Sequence, residues 1–224
     1  MMFDDHYEVV LADTAGSRAI HYHLRYRVFC LEKGFEDAER FKDQMEKDCY
    51  DDEAVHFLVR DKKQDQWIAA ARLVIGPLDF LPISRAAEIS LPDVEAGTVI
   101  AEFSRLLILN NHRCFNGKRI SEPEVLMGLI RAAKEYCQNI HIEHWVFLCR
   151  RSIRRILDGL GISMEPIGPA CHFRGVRVPY RMDLTTAFER VAQVSFPTHL
   201  MLSRPRRIFY SYASCSDMLS HRAA

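Results

Sequence analysis

Thr98-Val99-Ile100-Ala101-Glu102-Phe103-Ser104-Arg105-Leu106-Leu107-Ile108-Leu109 is the most strand-like run in the chain. Its β-branched and aliphatic residues favour extended backbone, so it is read as the central strand of a sheet. Side chains alternate along a strand, which places Glu102 and Ser104 on one face and Phe103 and Arg105 on the other. A carboxylate and a guanidinium inside an apolar strand are costly unless paired. The two charges therefore mark either an internal ion network or a site.

Working outward, Val55–Arg60 and Trp67–Ile75 read as two strands of a hairpin, turned by Asp61-Lys62-Lys63-Gln64-Asp65. Before them, Ile20, Leu24, Val28 and Leu31 fall at helical spacing within Ser17–Leu31, predicting a helix that ends near Gly34. Between helix and hairpin, Glu36–Glu53 is polar and aperiodic, a long ordered loop of the kind that often carries function.

Downstream of the central strand comes a basic loop, Asn110–Arg119. Ser121 and Glu124 then form a capping-box pattern for a helix reaching about Asn139. His144–Cys149 reads as a buried strand, Arg150–Leu160 as a basic helix closed by Gly161, and Ile162–Ile167 and Val176–Leu184 as a last strand pair. This order fits a mixed α/β domain with a largely antiparallel sheet better than a doubly wound parallel one. Residues 1–184 are expected to form that domain, with 185–224 a C-terminal extension that packs on it or stays loose.

The formal net charge is zero, but it is unevenly spread. Residues 1–60 carry 14 acidic and 8 basic side chains, whereas residues 105–224 carry 9 acidic and 18 basic. A neutral chain with a basic second half suits an acidic protein partner on one face and argues against nucleic acid. The seven cysteines show no CxxC spacing, and the odd count argues for reduced thiols rather than a disulfide framework. Cys114, Cys149 and Cys171 lie near His112, His144 and His172, but no pair has a metal-ligand spacing. No tightly bound cofactor and no metal are expected. The N-terminus lacks the basic-then-apolar pattern of a signal peptide, and no apolar run approaches the ~20 residues that span a bilayer. A cytoplasmic location is the expectation.

Several further groups could carry chemistry. Arg25-Tyr26-Arg27-Val28-Phe29 ends the first helix just before Gly34-Phe35, Asp48-Cys49-Tyr50-Asp51 closes the acidic loop, and Arg72 sits in the second hairpin strand. Asp48, Asp51, Arg72 and Arg105 could neutralise one another as a structural network, one able to hold the loop over a site. Glu102 is the candidate for catalysis.

Arg25 with Phe29, then Phe35, then Asp48-x-x-Asp51, Arg72 and Glu102-x-x-Arg105 resemble, in that order, the acyl-homoserine lactone synthases. Cys30-Leu31-Glu32-Lys33-Gly34-Phe35-Glu36, Val55–Arg60 and Pro166-Ile167-Gly168-Pro169 resemble acyltransferases associated with exosortase systems, relatives of the N-acyl amino acid synthases. Phe35 departs from the tryptophan that the lactone synthases usually carry. The resemblance implies a GNAT-like fold and an acyltransferase that takes its acyl group from acyl carrier protein or acyl-CoA. The acceptor would be an amino-acid-like amine.

It further implies that Glu102 acts as general base, with Arg105 beside it in the catalytic set. Arg25, Phe29, Phe35, Asp48, Asp51, Arg72 and Ser104 would shape the substrate site. In a GNAT-like fold the amides near Leu106 and Leu107 would hold the oxyanion, and those around Asn116 and Gly117 would meet the pantetheine phosphate. Arg150, Arg151, Arg154 and Arg155 lie on one helical face and form the expected docking surface for acidic carrier protein, which Arg113, Lys118 and Arg119 could extend. Two other readings stay open: a true lactone synthase using S-adenosylmethionine, and a non-catalytic module that binds carrier protein or lipid.

Overall fold

A computed structural model of the chain describes residues 3–109 and 122–203. Its elements are α1 (Phe3–His6), β1 (Tyr7–Leu11), α2 (Ala15–Arg25), β2 (Val55–Asp61), β3 (Gln66–Gly76), α3 (Pro82–Ala86), β4 (Ile100–Ile108) and α4 (Glu122–Asn139). They continue with β5 (His144–Cys149), α5 (Arg151–Gly159), β6 (Glu165–Pro166), β7 (Cys171–His172), β8 (Val176–Asp183), α6 (Val191–Val194) and α7 (Phe196–Ser203). The strands hydrogen-bond in the order β1-β2-β3-β4-β5-β8-β6, and β7 adds to β8. β4 and β5 run parallel, whereas β1–β2, β5–β8, β6–β8 and β7–β8 are antiparallel, giving the mixed, mostly antiparallel sheet expected. The described residues fall into two compact units, 3–72 with 105–109 and 122–132, and 73–104 with 133–203.

In the first unit, Thr14 caps α2 reciprocally: its Oγ1 accepts from the Ser17 amide at 3.1 Å, and its own amide donates to Ser17 Oγ at 3.0 Å. The α-helix stops at Arg25, and Tyr26–Glu32 continues it as a π-helix. The wider turn shifts the inward face by a residue. Phe29 and Cys30 are therefore buried while Leu31, expected on the apolar stripe, is 63% exposed. Gly34 ends the segment at φ +60°, a backbone state that glycine adopts without a Cβ penalty. In the hairpin turn, Asp61 Oδ1 accepts from the Lys63 and Gln64 amides at 2.9 and 3.0 Å. The unit's apolar core gathers Ala12, Val28, Phe29, Leu58, Ala70, Leu107 and Leu109.

The second unit holds a segment for which the sequence predicted no elements. Leu78–Phe80 makes one 3₁₀ turn and α3 begins at Pro82, where the missing N–H costs nothing. Phe103 stacks on Trp145 at 5.4 Å between ring centroids, and the Trp145 indole donates to Cys137 Sγ at 3.1 Å. The strand predicted over Ile162–Ile167 shrinks to Glu165–Pro166, because the Ile162 and Ser163 amides are already committed to Leu157 O and Ala187 O, each at 2.9 Å. After β8 the backbone turns into α6 and α7, with Ala187, Val191 and Met201 buried. Ser121 of the capping-box pattern lies outside the described residues.

One feature of β4 alters the expected alternation. Arg105 has φ +50°, a left-handed residue inside a strand. That conformation is uncommon for a non-glycine residue and costs on the order of 1–3 kcal/mol. It interrupts the pleat, so the pairing of Phe103 and Arg105 on one face does not carry across it.

Candidate functional site

Arg25 at the end of α2, Arg72 on β3 and Arg105 on β4 meet three carboxylates of the acidic loop. The loop follows α2 and is shaped by its own polar side chains: Asp48 Oδ1 accepts from the Tyr50 amide at 3.0 Å, and Asp51 Oδ2 from the Asp48 amide at 2.6 Å. Arg25 donates from Nε to Glu46 Oε2 at 2.5 Å and from Nη1 to Asp51 Oδ1 at 2.6 Å. Arg72 Nη1 reaches Asp51 Oδ1 at 2.7 Å and Asp48 Oδ1 at 2.6 Å. Arg105 Nη2 lies 2.8 Å from Asp48 Oδ2 and 3.2 Å from Glu46 Oε1. Each arginine bridges two acids and each acid bridges two arginines, so the six groups close a ring in the order Glu46, Arg25, Asp51, Arg72, Asp48, Arg105.

The ring is charge-balanced and mostly buried, with Arg25 and Arg72 wholly inaccessible and Asp48 and Arg105 partly open to solvent. Isolated charges could not persist there; mutual pairing and charge-assisted hydrogen bonds make the arrangement tolerable. Burial pushes the Asp51 carboxyl upward, but the Arg25 charge and hydrogen bond, then Arg72, outweigh it and hold the group well below the usual carboxylate range. Burial likewise works against the Arg25 cation, and Glu46 and Asp51 outweigh it, raising its pKa. For Arg105 burial prevails over Glu46, with Arg25 and Arg72 adding repulsion, and its pKa is lowered. Arginine still keeps its proton at any ordinary pH.

Two histidines back the ring. His56 Nε2 pairs with Asp51 O at 2.9 Å and His21 Nε2 with Ala71 O at 3.1 Å, their rings 4.6 Å apart edge to face. Burial lowers His56 to about 4, and burial together with His56 and Arg25 drives His21 well below the usual histidine value. Both are neutral near pH 7, so they leave the ring's charge balance intact. Each Nε2 faces a carbonyl and therefore carries the proton.

Phe29 and Phe35, 6.4 Å apart and nearly parallel, lie beside the ring, and the Arg105 guanidinium sits over Phe29 at 5.9 Å. Thus Arg25, Phe29, Phe35, Asp48, Asp51, Arg72 and Arg105 come together in one place. Leu107 is buried in the same core as Phe29, and Leu106 directly follows the left-handed Arg105. The sequence reading missed Glu46, His21 and His56 as parts of this cluster. An acidic loop with no periodicity offers no way to tell which carboxylates turn inward.

In the second unit Glu102 is buried, and its Oε2 accepts from the Ile83 amide at 2.6 Å. Ser104 Oγ is buried without a hydrogen-bond partner among the described residues. A cleft of about 630 Å³ is walled mainly by the segments before and after α3, with Leu78, Ala87, Ile89 and Val94 among its residues, together with Ser84 of α3 and Ile100 at the start of β4. Val146 and Phe147 are core side chains of β5. Arg150 precedes α5, and Arg151 and Arg155 are exposed on it; Arg154 pairs with Asp158 at 3.3 Å and lies over Tyr180. Asn116 and Gly117, with Cys114, Arg113, Lys118 and Arg119, lie outside the described residues. Cys149 makes a poor nucleophile, since burial pushes its thiol up to about 12. Among the described residues no cluster suited to a metal ion occurs, and no helix is long and apolar enough to cross a membrane.

Residues 24–120 match a family model described as acetyltransferase (GNAT) domain. The fold is similar to that of the AHL synthase LasI, at 18% identity and a TM-score of 0.64, covering 90% of this chain and 99% of that one. BjaI, a CoA-dependent acyl-homoserine lactone synthase solved with SAM and isopentyl-CoA, matches at 18% identity and a TM-score of 0.65 over 95% of this chain and 99% of its own. FeeM, an N-acyl amino acid synthase from uncultured soil microbes, matches at 12% identity and a TM-score of 0.59 over 85% and 97%. No curated protein matches by sequence. The fold is therefore GNAT-like, as the resemblance implied.

Proposed function

We propose that this chain is an N-acyltransferase that moves a fatty acyl group from the thioester of acyl carrier protein, or of coenzyme A, to the amine of an amino-acid-like acceptor. The observation that carries this reading is Glu102. A buried carboxylate on β4, oriented by the Ile83 amide, lies three residues before the left-handed Arg105.

The chemistry needs a neutral amine, a held thioester carbonyl and a stabilised oxyanion. An α-amino group with a pKa of about 8 is mostly protonated at neutral pH. Glu102, directly or through a water, would take a proton from the amine as nitrogen attacks the carbonyl carbon. The C–S bond then breaks and the thiol leaves with a proton. The left-handed backbone at Arg105, directly before Leu106 and Leu107 on β4, supports those two residues as oxyanion donors. Ser104, whose buried hydroxyl has no hydrogen-bond partner among the described residues, would bind substrate, and the mostly apolar cleft lined by residues on either side of α3 would take an apolar portion of it. Asn116 and Gly117 would meet the phosphate of the pantetheine arm.

The exposed arginines of α5 support docking of acidic carrier protein by Arg150, Arg151, Arg154 and Arg155. Phe35 in place of the lactone synthases' tryptophan favours an acceptor other than S-adenosylmethionine. The likeness to exosortase-associated acyltransferases points the same way, toward N-acyl amino acid synthesis by a cytoplasmic protein. The test is to incubate the purified protein with long-chain acyl carrier protein, acyl-CoA, amino acids and S-adenosylmethionine, and to follow products by mass spectrometry. An N-acyl amino acid that disappears with Glu102→Gln supports the proposal. A lactone would place the chain with the autoinducer synthases, and an intact thioester would leave a carrier- or lipid-binding module.

A further inference from the structure

We propose that Glu46 is a positioning residue of this site, the group that fixes Arg105 and with it the backbone following Arg105 on β4. The proposal rests on the acyl-transfer reading for its kinetic consequence, but not for its structural one.

Arg105 occupies a backbone state that a β-strand does not supply by itself. Its side chain must hold it there, and the only ion-pair partners of Arg105 among the described residues are Glu46 and Asp48. Asp48 is shared with Arg72, and a quarter of its side chain is open to solvent. Glu46 is the buried anchor, with 2% of its side chain accessible. It also takes the Arg25 Nε, so one carboxylate couples the end of α2 to β4. Ordinary salt bridges at a surface would slide between rotamers; in a closed ring of six groups, mostly buried, each pair restrains its neighbours. Removing one carboxylate opens the ring at the position nearest the strained residue. Leu106 and Leu107 follow that residue directly, so their amides would lose their fixed direction.

The experiment compares Glu46→Gln and Glu46→Asp with the wild-type chain in two readouts: steady-state kinetics with acyl donor, and hydrogen exchange at the Leu106 and Leu107 amides. Gln keeps an oxygen for Arg25 Nε but turns an N–H group toward Arg105. Asp keeps the charge and the fold but is one methylene too short to reach both arginines. In both variants exchange at the two amides should rise by at least ~10-fold, and kcat should fall by roughly 10- to 100-fold with the donor KM unchanged. A purely structural role would lower the melting temperature of Glu46→Asp while leaving kcat and those two amides as they were. If folded Glu46→Asp keeps wild-type exchange or wild-type kcat, the proposal is overturned. Should the wild-type chain transfer no acyl group at all, the acyl-transfer reading fails by itself, and the exchange comparison still decides what Glu46 does.

Discussion

The Ile83 amide donates to Glu102 Oε2 at 2.6 Å, tying the first turn of α3 to a carboxylate nineteen positions later on β4. That bond aims the carboxylate, as a general base requires. Glu102→Gln preserves an oxygen for that amide, so the fold should lose no more than ~1 kcal/mol. Acyl transfer should fall by roughly 10²- to 10⁴-fold, read as thiol release from the acyl donor. Full turnover across the pH range would remove Glu102 from the mechanism.

Asp51 holds Arg25, Arg72 and the Asp48 amide together. Asp51→Asn leaves two buried guanidinium groups short of a negative partner. Breaking such an assembly typically costs about 3–5 kcal/mol. Urea unfolding should show that loss as a lower midpoint with an unchanged slope; a shift under ~1 kcal/mol would mean that the ring contributes little to stability.

Acid should weaken the fold in two stages. His56 titrates near 4 in the folded chain because burial disfavours its charge, against 6.5 ordinarily. The unfolded chain therefore takes up this proton first, as it does that of His21, whose burial also holds its pKa well below the usual value, and stability falls as pH drops below 6.5, with His56 contributing about 3 kcal/mol of the loss. Asp51, depressed in the folded state, adds a further loss below about 4. Unfolding free energy measured between pH 7 and 4 should slope upward with pH, and His56→Gln, which retains a donor for Asp51 O, should reduce that slope to the part that His21 supplies.

Gly168 lies in the Pro166-Ile167-Gly168-Pro169 turn, and a Cβ there would sit 2.0 Å from the Glu88 carbonyl oxygen. Ser90 N donates to Ile167 O at 2.8 Å on the same contact. Gly168→Ala must push two backbones apart and should lower stability by about 1–3 kcal/mol. Thermal unfolding checks it, and a wild-type melting temperature would show that the turn yields.

Arg151 and Arg155 are exposed on α5 and form no ion pair in the described structure, unlike Arg154, which is tied to Asp158. Reversing both to Glu should raise the KM for acyl carrier protein about 10-fold or more, leave acyl-CoA kinetics unchanged, and weaken the dependence on salt. Equal effects on both donors would argue against carrier docking at this face.

Much of the architecture was legible in the chain. The apolar run around Glu102, the hairpin residues, α4, β5, α5 and β8 follow from periodicity, because a half-buried strand or helix must repeat its apolar residues at its own pitch. The order of Arg25, Phe29, Phe35, Asp48, Asp51, Arg72, Glu102 and Arg105 was likewise visible, and with it the expectation of paired charges.

What the chain did not disclose are features fixed by contacts distant in sequence. The π-turn that exposes Leu31, the left-handed Arg105 and the shortened strand at Glu165 each set aside a local preference. Glu46, alike in sequence to its acidic neighbours, was singled out only by folding. Local pattern sets which segments form helices and strands, since propensity and periodicity act over a few residues. Which buried charges meet depends on desolvation and pairing across the whole fold, and those energies exist only once the tertiary structure has brought Arg25, Arg72 and Arg105 around one loop.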